Sequence, residues 1–297
     1  MGGSSSKNEQ RKDESKTNHA PHIPEKYTKK LFNSIVRIDI TLNKKDIIIG
    51  KGFFIKFKLK NKMNHFLMTC HHIVEEKYVN KKMNISLYYG EVSKEEKIEI
   101  QLDSKERYIK CFDKPFDITL IEILEKDNIG EDKFLVPDWS YKNGYDFYKN
   151  NYFYLAGYPQ NILNENDRST SSGQITEILD KPEFQHSLDT GPGNSGSPIC
   201  LFNNLFVVGI HKAGIENKPI NYGTFLGYIL DNLEKEEKNK TKINKEVKGN
   251  SLEKDKEKKD AGRSWNKSKL KENIKSINII KKLFSYLDEK KIEDNQI

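Results

Sequence analysis

The chain lacks the features that mark several common classes of protein. It has three cysteines in 297 residues, an odd number, and Cys70, Cys111 and Cys200 all lie inside apolar segments. We therefore expect buried thiols in a reducing compartment rather than a disulfide framework. No stretch approaches the roughly 18 apolar residues that a transmembrane helix needs, and the N-terminus lacks the apolar run of a signal peptide. These absences predict a cytoplasmic protein that is not secreted by a signal peptide.

Patterns for metal, phosphate and nucleic-acid binding are also missing. The seven histidines are scattered without ligand spacing, and no Cys-x-x-Cys motif occurs. Residues 191–193 lack the lysine and the helix start of a phosphate-binding loop. We therefore expect no metal and no cofactor. The net charge of +7 falls mainly on residues 234–297, whereas residues 27–233 are balanced, so the body is not expected to bind nucleic acid.

One stretch in the second half stands out. Residues 190–200, with the sequence TGPGNSGSPIC, place a serine between glycines, with proline close on both sides. Such a segment predicts a tight turn that feeds a strand. The turn can aim the backbone N–H groups of Gly193 and Ser195 at one point beside the Ser195 hydroxyl, as a tetrahedral oxyanion requires. The alternative is an ordinary glycine–proline turn with a serine at its tip.

A serine nucleophile needs a base and a group that orients the base. Residues 66–74 form an apolar strand that ends in His71 and His72, and residues 116–123 form a strand-like alternation that begins near Asp117. Adjacent side chains on a strand point to opposite faces. Only one of the two histidines can therefore meet both Asp117 and the serine.

These three segments resemble the trypsin/chymotrypsin family. Residues 69–72 (TCHH) are similar to its Thr-Ala-Ala-His signature, residues 117–120 (DITL) to Asp-Ile-Ala-Leu, and residues 193–198 (GNSGSP) to Gly-Asp-Ser-Gly-Gly-Pro. The nearest resemblance is to the bacterial glutamyl endopeptidases of the staphylococcal V8 type. It implies that His72 is the general base and acid, Asp117 orients it, and Ser195 is the nucleophile. Gly193 and Ser195 would form the oxyanion hole.

The same resemblance implies a substrate-binding set. In V8-type enzymes, a histidine and a threonine that match His211 and Thr190 bind a glutamate carboxylate in the pocket for the P1 residue, which precedes the cleaved bond. Both side chains donate hydrogen bonds, so a preference for acidic P1 is chemically sensible. The alternative is that His211 is an ordinary strand histidine. Lys212, Ala213 and Gly214 would form the edge strand that pairs with a peptide substrate.

Short strands at regular spacing predict an all-β protein with two antiparallel six-stranded β-barrels and a charged, helical C-terminal extension. We expect residues 222–230 to form the last strand and a helix to begin at Asp231. The predicted parts are a disordered leader (1–26), a trypsin-like protease domain (27–240, with barrels at about 27–130 and 150–233), a charged linker (241–264) and an amphipathic helical tail (265–297).

The two ends suggest contact with a membrane. Gly2 fits the pattern for N-myristoylation, and the alternative is a flexible polar leader. A myristoyl chain alone binds a bilayer only marginally, and the basic C-terminal tail could supply the second signal. The tail could instead pack on the barrel or self-associate. We expect a cytoplasmic protein at the membrane periphery, and the sequence leaves its oligomeric state open.

The predicted function is that of a serine endopeptidase acting on protein or peptide substrates through an acyl-enzyme. The alternative from a different class is a catalytically silent protein that uses the protease fold to bind peptides or act as a scaffold at a membrane surface. A chaperone-protease of the HtrA type is less favoured, because no recognisable peptide-binding domain follows residue 240.

Overall fold

The described part of the chain is organised around two antiparallel β-sheets. The structure is a computed structural model, and it describes residues 22–43, 46–91, 94–149, 151–157, 168–215 and 220–239. The chain divides into two compact units, Met1–Glu237 and Lys238–Ile297. Gly2, most of the predicted leader, the linker and the amphipathic tail lie outside the described residues. None of the described helices is long and apolar enough to cross a membrane.

The first sheet has seven strands in the order β5-β4-β1-β2-β3-β7-β6. A helix α1 (Glu25–Ser34) precedes it, and a short helix α2 (Glu76–Asn80) follows β3. The strands are β1 (Ile35–Thr41), β2 (Ile47–Leu59), β3 (Lys62–Thr69), β4 (Asn84–Glu91), β5 (Lys94–Gln101), β6 (Ile109–Phe112) and β7 (Ile118–Glu122).

The second sheet closes into a barrel in the order β10-β13-β12-β11-β8-β9. Its strands are β8 (Tyr152–Gly157), β9 (Ser169–Ile178), β10 (Glu183–His186), β11 (Pro198–Leu201), β12 (Val207–Gly214) and β13 (Asn221–Phe225). A helix α3, residues 226–239, follows β13 directly. The barrel interior is filled by aromatic side chains, and the rings of Phe184 and Phe225 lie 4.3 Å apart between centroids.

The segment between the sheets contacts both of them. It contains four short 3-10 helices, at Glu125–Asp127, Glu131–Lys133, Ser140–Asn143 and Asp146–Tyr148. The N–H of Leu135 donates to the carbonyl of Phe54 in β2, and the N–H of Val207 in β12 donates to the carbonyl of Val136, each at 2.9 Å. The prediction that this aromatic-rich segment packs across the junction is confirmed.

The predicted all-β class with two antiparallel sheets is confirmed. Of the two predicted barrels, only the second is closed among the described residues, and it has the predicted six strands. Three details differ. The first sheet has seven strands rather than six, because β5 pairs with β4 along its whole length. The helix α1 was not anticipated. The last helix begins at 226 rather than 231, since its buried side chains recur at helical spacing: Leu226, Ile229, Leu230 and Leu233.

Candidate active site

Asp117 makes three contacts with the turn that follows β3. Its side chain accepts hydrogen bonds from the backbone N–H of His72 at 2.9 Å and pairs with Nδ1 of His72 at 2.7 Å. Its carbonyl accepts the N–H of His71 at 3.1 Å. The imidazole of His72 is 48% exposed, whereas the carboxyl of Asp117 is 15% exposed. The histidine can therefore exchange protons while the carboxylate fixes its orientation.

The backbone of Asp117 has a positive φ of 54°. This left-handed conformation is uncommon outside glycine, although aspartate tolerates it better than most residues. It allows the carbonyl and the side chain of Asp117 to reach the same turn. The conformation is supported from the second barrel, because Thr224 donates its hydroxyl to the carbonyl of Phe116 at 2.8 Å and Lys212 Nζ donates to the carbonyl of Pro115 at 2.9 Å.

Asp117 is held in its ionised form. Burial disfavours the charge, but hydrogen bonds from His72 and the charges of His72 and Lys212 outweigh burial, and the pKa of Asp117 is lowered. A carboxylate is the form that can accept both bonds from His72. The imidazole is thereby kept with its proton on Nδ1, which leaves Nε2 as the basic nitrogen.

His71 points away from this pair. Its Nδ1 lies 3.3 Å from the hydroxyl of Thr119, and that hydroxyl donates to the carbonyl of Val74 at 2.7 Å. The two histidines are therefore separated and His72 is the one that meets Asp117, but the predicted cause is wrong: β3 ends at Thr69, and both histidines lie in the turn that follows it rather than on a strand.

The Ser195 turn is fixed to strand β12 by backbone hydrogen bonds. The N–H of Gly196 donates to the carbonyl of His211 at 2.8 Å, and the N–H of His211 donates to the carbonyl of Ser197 at 2.9 Å. Gly193 and Gly196 both have positive φ, 89° and 92°. A Cβ at Gly196 would collide with the carbonyl of Lys51 in β2. Glycine is therefore required there by conformation and by space.

The hydroxyl of Ser195 donates to the backbone carbonyl of Lys212 at 2.9 Å. Among the described residues, no hydrogen bond joins Ser195 to His72. In the same part of the chain, the N–H groups of Gly193 and Ser195 donate to no backbone carbonyl, although the N–H of Asn194 between them donates to Gly191 at 3.1 Å. Two N–H groups beside the serine are thus left to bind another acceptor.

Cys70 lies between the His72–Asp117 pair and the serine turn. Its Sγ lies 3.5 Å from the carbonyl of His211, which also accepts the N–H of Gly196. Atoms of Cys70, His72 and Asp117 that could ligate a metal lie within 4.8 Å of one another. Burial, reinforced by the charge of Asp117, raises the pKa of the Cys70 thiol well above its usual value. A neutral thiol beside a bonded His–Asp pair suits an acid–base site better than a metal centre.

His211 forms a buried pair with a second histidine. Its Nδ1 lies 3.1 Å from Nε2 of His186, and both residues are at most 2% exposed. Burial, followed by the charge of His72, lowers the pKa of His211 to about 4. Burial and His211 lower the pKa of His186. Both rings are neutral at physiological pH, so His211 can offer a hydrogen bond but no charge.

The other predicted substrate-binding residues lie along β12 and the turn before Ser195. Thr190 is half-buried and donates its hydroxyl to Oδ1 of Asn221 at 2.7 Å. Strand β12 pairs with β11 as far as Ile210, whereas Ala213 and Gly214 pair with β13. Within the described residues, the second edge of β12 has no strand partner at Ala213 and Gly214, and both residues are exposed.

Three groups that contact the candidate site were not predicted from the sequence: His186, Thr224 and the ammonium group of Lys212. Each acts on a residue far away in the sequence, and Lys212 and Pro115 are separated by 97 positions. A histidine on the strand before the serine turn was a visible signal for His186. Nothing local pointed to the other two, because their contacts exist only when the two sheets are in place.

The segment that holds His72, Asp117 and Ser195 is similar to a known family. The sequence model described as "Trypsin-like peptidase domain" matches residues 50–210. The chain is also similar to Rv3671c from M. tuberculosis H37Rv, whose crystal structure is of a serine-to-alanine mutant in an inactive form, with 17% identity and a TM-score of 0.46 over 70% of this chain and 88% of that chain. For a serine endoprotease from Yersinia pestis the identity is 13% and the TM-score 0.49, over 72% of this chain and 67% of that chain. No curated protein matches the sequence.

Proposed function

We propose that this chain, which belongs to the trypsin-like peptidase family, is a serine endopeptidase that cleaves protein or peptide substrates through Ser195, His72 and Asp117. The observation that carries the proposal is the two-point contact of Asp117 with His72, through the backbone N–H and Nδ1. A carboxylate bonded in this way fixes the tautomer and the direction of the imidazole, which is the arrangement that a base for a serine hydroxyl requires.

The reaction would proceed in two steps. Ser195 Oγ attacks the carbonyl carbon of the substrate while Nε2 of His72 takes the hydroxyl proton, and the N–H groups of Gly193 and Ser195 bind the oxyanion. His72 then gives the proton to the leaving amine, which produces an acyl-enzyme. Water, activated by the same histidine, hydrolyses the ester. Before the first step, the Ser195 hydroxyl must turn from the Lys212 carbonyl toward His72.

The substrate backbone would bind along the free edge of β12. The exposed residues Ala213 and Gly214 lack a strand partner on that edge, so an extended peptide can add there as a further strand. The peptide carbonyl would then lie between the serine and the two unused N–H groups. Lys212 contributes to this edge through its backbone.

The proposed V8-type preference for acidic P1 residues is supported by Thr190 and His211. His211 can donate a hydrogen bond to a carboxylate, and the hydroxyl of Thr190 can do so once it turns from Asn221. His211 is neutral at physiological pH because burial lowers its pKa to about 4. Selectivity would therefore come from hydrogen bonds without a full charge, and should be modest. A P1-scanned peptide library tests this preference. Preferred cleavage after lysine or arginine would contradict it and would point to the exposed carboxylate of Asp189, which precedes Thr190.

Labelling with a fluorophosphonate tests the enzymatic proposal. Purified wild-type protein should be labelled, and Ser195→Ala and His72→Ala should not, because the probe reports an activated serine. His71→Ala is the matched control: this adjacent histidine faces Thr119, so the variant should still be labelled. Labelling that survives Ser195→Ala, or that is lost equally in His71→Ala, would contradict the assigned roles.

A catalytically silent peptide-binding or scaffold protein is the second candidate. The observation in its favour is the hydrogen bond from Ser195 to Lys212 rather than to His72. A well-folded wild-type protein that binds peptides but is not labelled would support this candidate over the first.

We also propose that the protein is cytoplasmic and held at a membrane surface by N-myristoylation of Gly2 together with the basic C-terminal tail. Only the sequence supports this part of the proposal. Cells fed an alkynyl myristate should yield labelled wild-type protein and unlabelled Gly2→Ala protein. Equal labelling of the two would exclude acylation at Gly2.

A further inference from the structure

The hairpin that joins β2 to β3 concentrates positive charge. Residues 56–65 have the sequence KFKLKNKMNH, with four lysines, one histidine and no acidic residue. The body that contains this hairpin, residues 27–233, is balanced in charge as a whole. The positive charge of the hairpin is therefore a local feature and does not follow from the composition of the body.

The lysines near the turn of the hairpin have no carboxylate partners. At the base of the hairpin, Glu131 pairs with Lys56 and, at 2.6 Å, with His65. Beyond these pairs, three exposed lysines form no ion pair with any described residue: Lys58, Lys60 and Lys62. Met63 is 43% exposed and lies directly across from Lys58 in the pairing of β2 with β3. We call these three lysines and Met63 the basic tip.

The conformation of the basic tip is fixed by its backbone and by one side chain. Lys60 and Asn61 form the two-residue turn, and both have left-handed backbones, with φ of 55° and 56°. The side-chain amide of Asn64 donates to the carbonyls of Leu59 and Lys62, at 2.8 and 2.7 Å. Asparagine and glycine are the residues that such turns favour. A lysine held at position 60 against that preference indicates a use for its side chain.

The basic tip lies far along β2 from the candidate active site. The carbonyl of Lys51 lies beside Gly196 in the serine turn. From Lys51 to Lys60 an extended strand spans roughly 30 Å. A flat surface that contacts the basic tip can therefore be bound without covering the serine turn.

We propose that the basic tip docks on a membrane surface through its anionic lipid headgroups, such as those of phosphatidylserine. Exposed ammonium groups are attracted to an anionic lipid surface, and Met63 supplies an apolar side chain that can enter the headgroup region. A rigid turn loses little conformational entropy when it binds. A myristoyl chain needs a second signal for stable anchoring, and the basic tip supplies one within the folded body. The inference deepens the proposed membrane location and rests on it.

Sedimentation with vesicles tests the proposal in full-length protein that carries Ser195→Ala and no myristoyl group. The vesicles contain phosphatidylcholine and phosphatidylserine at about three to one, which gives an anionic surface. Replacing the three tip lysines by glutamine should weaken binding by about tenfold or more, because each lysine contributes to the attraction. Binding of the parent should fall with added salt. Binding that is equally strong to phosphatidylcholine alone would contradict recognition of anionic headgroups.

A second triple variant is the matched control, because it removes the same charge from three other turns. Lys81, Lys105 and Lys181 are exposed and form no ion pair among the described residues. Their replacement by glutamine should change binding by less than about threefold, since the attraction falls off within a Debye length. Equal losses in the two triple variants would show that only net charge matters. Unchanged binding of the tip variant would show that the rest of the chain carries the affinity, and either result would overturn the proposal.

Contact between the tip and lipid is measured separately from the effect of charge. The fluorescence of a Met63→Trp variant should be quenched by vesicles that contain brominated lipid, and more strongly than that of the parent with its native tryptophans. Quenching equal to that of the parent would contradict docking through the tip. If the triple tip variant does not fold, Lys62→Glu decides the question: it should weaken binding, whereas Lys81→Glu should not.

Nucleic acid is the other anionic surface that a basic hairpin could bind. A tip variant that loses affinity for a DNA or RNA duplex, while its vesicle binding is unchanged, would assign the tip to nucleic acid and overturn the proposal.

The vesicle experiment and the acylation experiment fail independently, because the vesicle experiment uses unacylated protein. Tip-dependent vesicle binding by a protein whose Gly2 is not acylated in cells would keep the basic tip and reject the proposed anchor. Acylated Gly2 together with vesicle binding that does not depend on the tip lysines would keep the anchor and reject the role of the basic tip.

Discussion

Ser195 donates its hydroxyl to the backbone carbonyl of Lys212 at 2.9 Å, while His72 is bonded to Asp117. The proposed nucleophile and its proposed base are therefore held by separate partners in the free protein. Catalytic hydrogen bonds are often long or absent before substrate binds. The pairing of His72 with Asp117 is the part of the site that is already assembled.

Replacing Asp117 by asparagine should reduce kcat/KM by about 10⁴-fold, the magnitude typical of this change in serine proteases. The amide would donate to the imidazole and stabilise the wrong tautomer of His72. KM should change little, because the side chain of Asp117 bonds to His72 and not to the residues proposed to bind substrate. The measurement is the initial rate of peptide hydrolysis.

Asp113→Asn serves as the control for that change. Asp113 lies on the same segment, is exposed, and its side chain accepts the N–H of Lys114. Its replacement should leave kcat/KM within about threefold of wild type. Equal losses in the two variants would indicate that the segment, and not the Asp117 carboxylate, is responsible.

Gly196→Ala should destabilise the protein by about 3 to 5 kcal/mol, through backbone strain and overpacking together. The added methyl group would meet the carbonyl of Lys51 at a positive φ. Gly144→Ala is the matched control: Gly144 also has a positive φ, 112°, but nothing lies within 4 Å of the added Cβ. It should cost only the strain, about 1 to 3 kcal/mol. Urea unfolding measures both, and similar losses would show that the contact with Lys51 contributes nothing.

Acid should destabilise the protein through the buried histidine pair. Below pH 6.5 the unfolded chain binds protons at His186 and His211, whereas folded His211 takes its proton only near pH 4. The free energy of unfolding should therefore fall as the pH drops from 6.5 toward 4, by roughly 3 kcal/mol from His211 alone. Urea unfolding of Ser195→Ala protein at several pH values measures this loss.

The double variant His186→Gln, His211→Gln is the control for that experiment, because glutamine keeps polar groups at both positions but does not titrate. Part of the acid sensitivity should remain, since carboxylates also gain protons. The difference between parent and double variant isolates the histidines. Identical pH dependence in the two would show that the pair is not buried in neutral form.

The three thiols should differ in reactivity toward iodoacetamide. Burial raises the pKa of all three, but Cys111 is half-buried whereas Cys70 and Cys200 are buried. The thiolate is the reactive form and must be reachable. At pH 8 the native protein should be modified slowly and first at Cys111, and at the other two only after unfolding. Mass spectrometry of the digested protein gives the order in which the cysteines are modified. Rapid modification of Cys70 in native Cys111→Ser protein would contradict the burial of Cys70.

The features that were predicted correctly from the sequence depend on residues that are close together in the chain. The turn chemistry around Ser195, the strand that precedes His72 and the strand that follows Asp117 each depend on a few neighbouring residues. The roles of these residues stay predictions, but the structure brings His72 and Asp117 into contact as the resemblance implied. The aromatic connection between the sheets was also recognisable, since large apolar side chains must be buried somewhere.

The features that were missed depend on distant partners. Residues 226–230 were predicted to be a strand, because an apolar run of that length fits the periodicity of a strand as well as that of a helix. In the structure they form a helix, which buries Leu226, Ile229 and Leu230 on one face. The ion pair between Lys212 and Glu183 depends on how β10, β13 and β12 align in the closed barrel. The pairing register of these strands cannot be predicted from the sequence. Lys212 was therefore predicted only to form part of the substrate-binding edge.

The division of the site between two sheets has a consequence during synthesis. His72 and Asp117 belong to the first sheet, while Ser195 and the edge of β12 come from the second, which leaves the ribosome later. A partly made chain would carry His72 and Asp117 without Ser195, and its Asp117 segment would lack the bonds from Lys212 and Thr224. Under the proposed function, the order of translation would by itself keep the chain inactive until the second sheet is made.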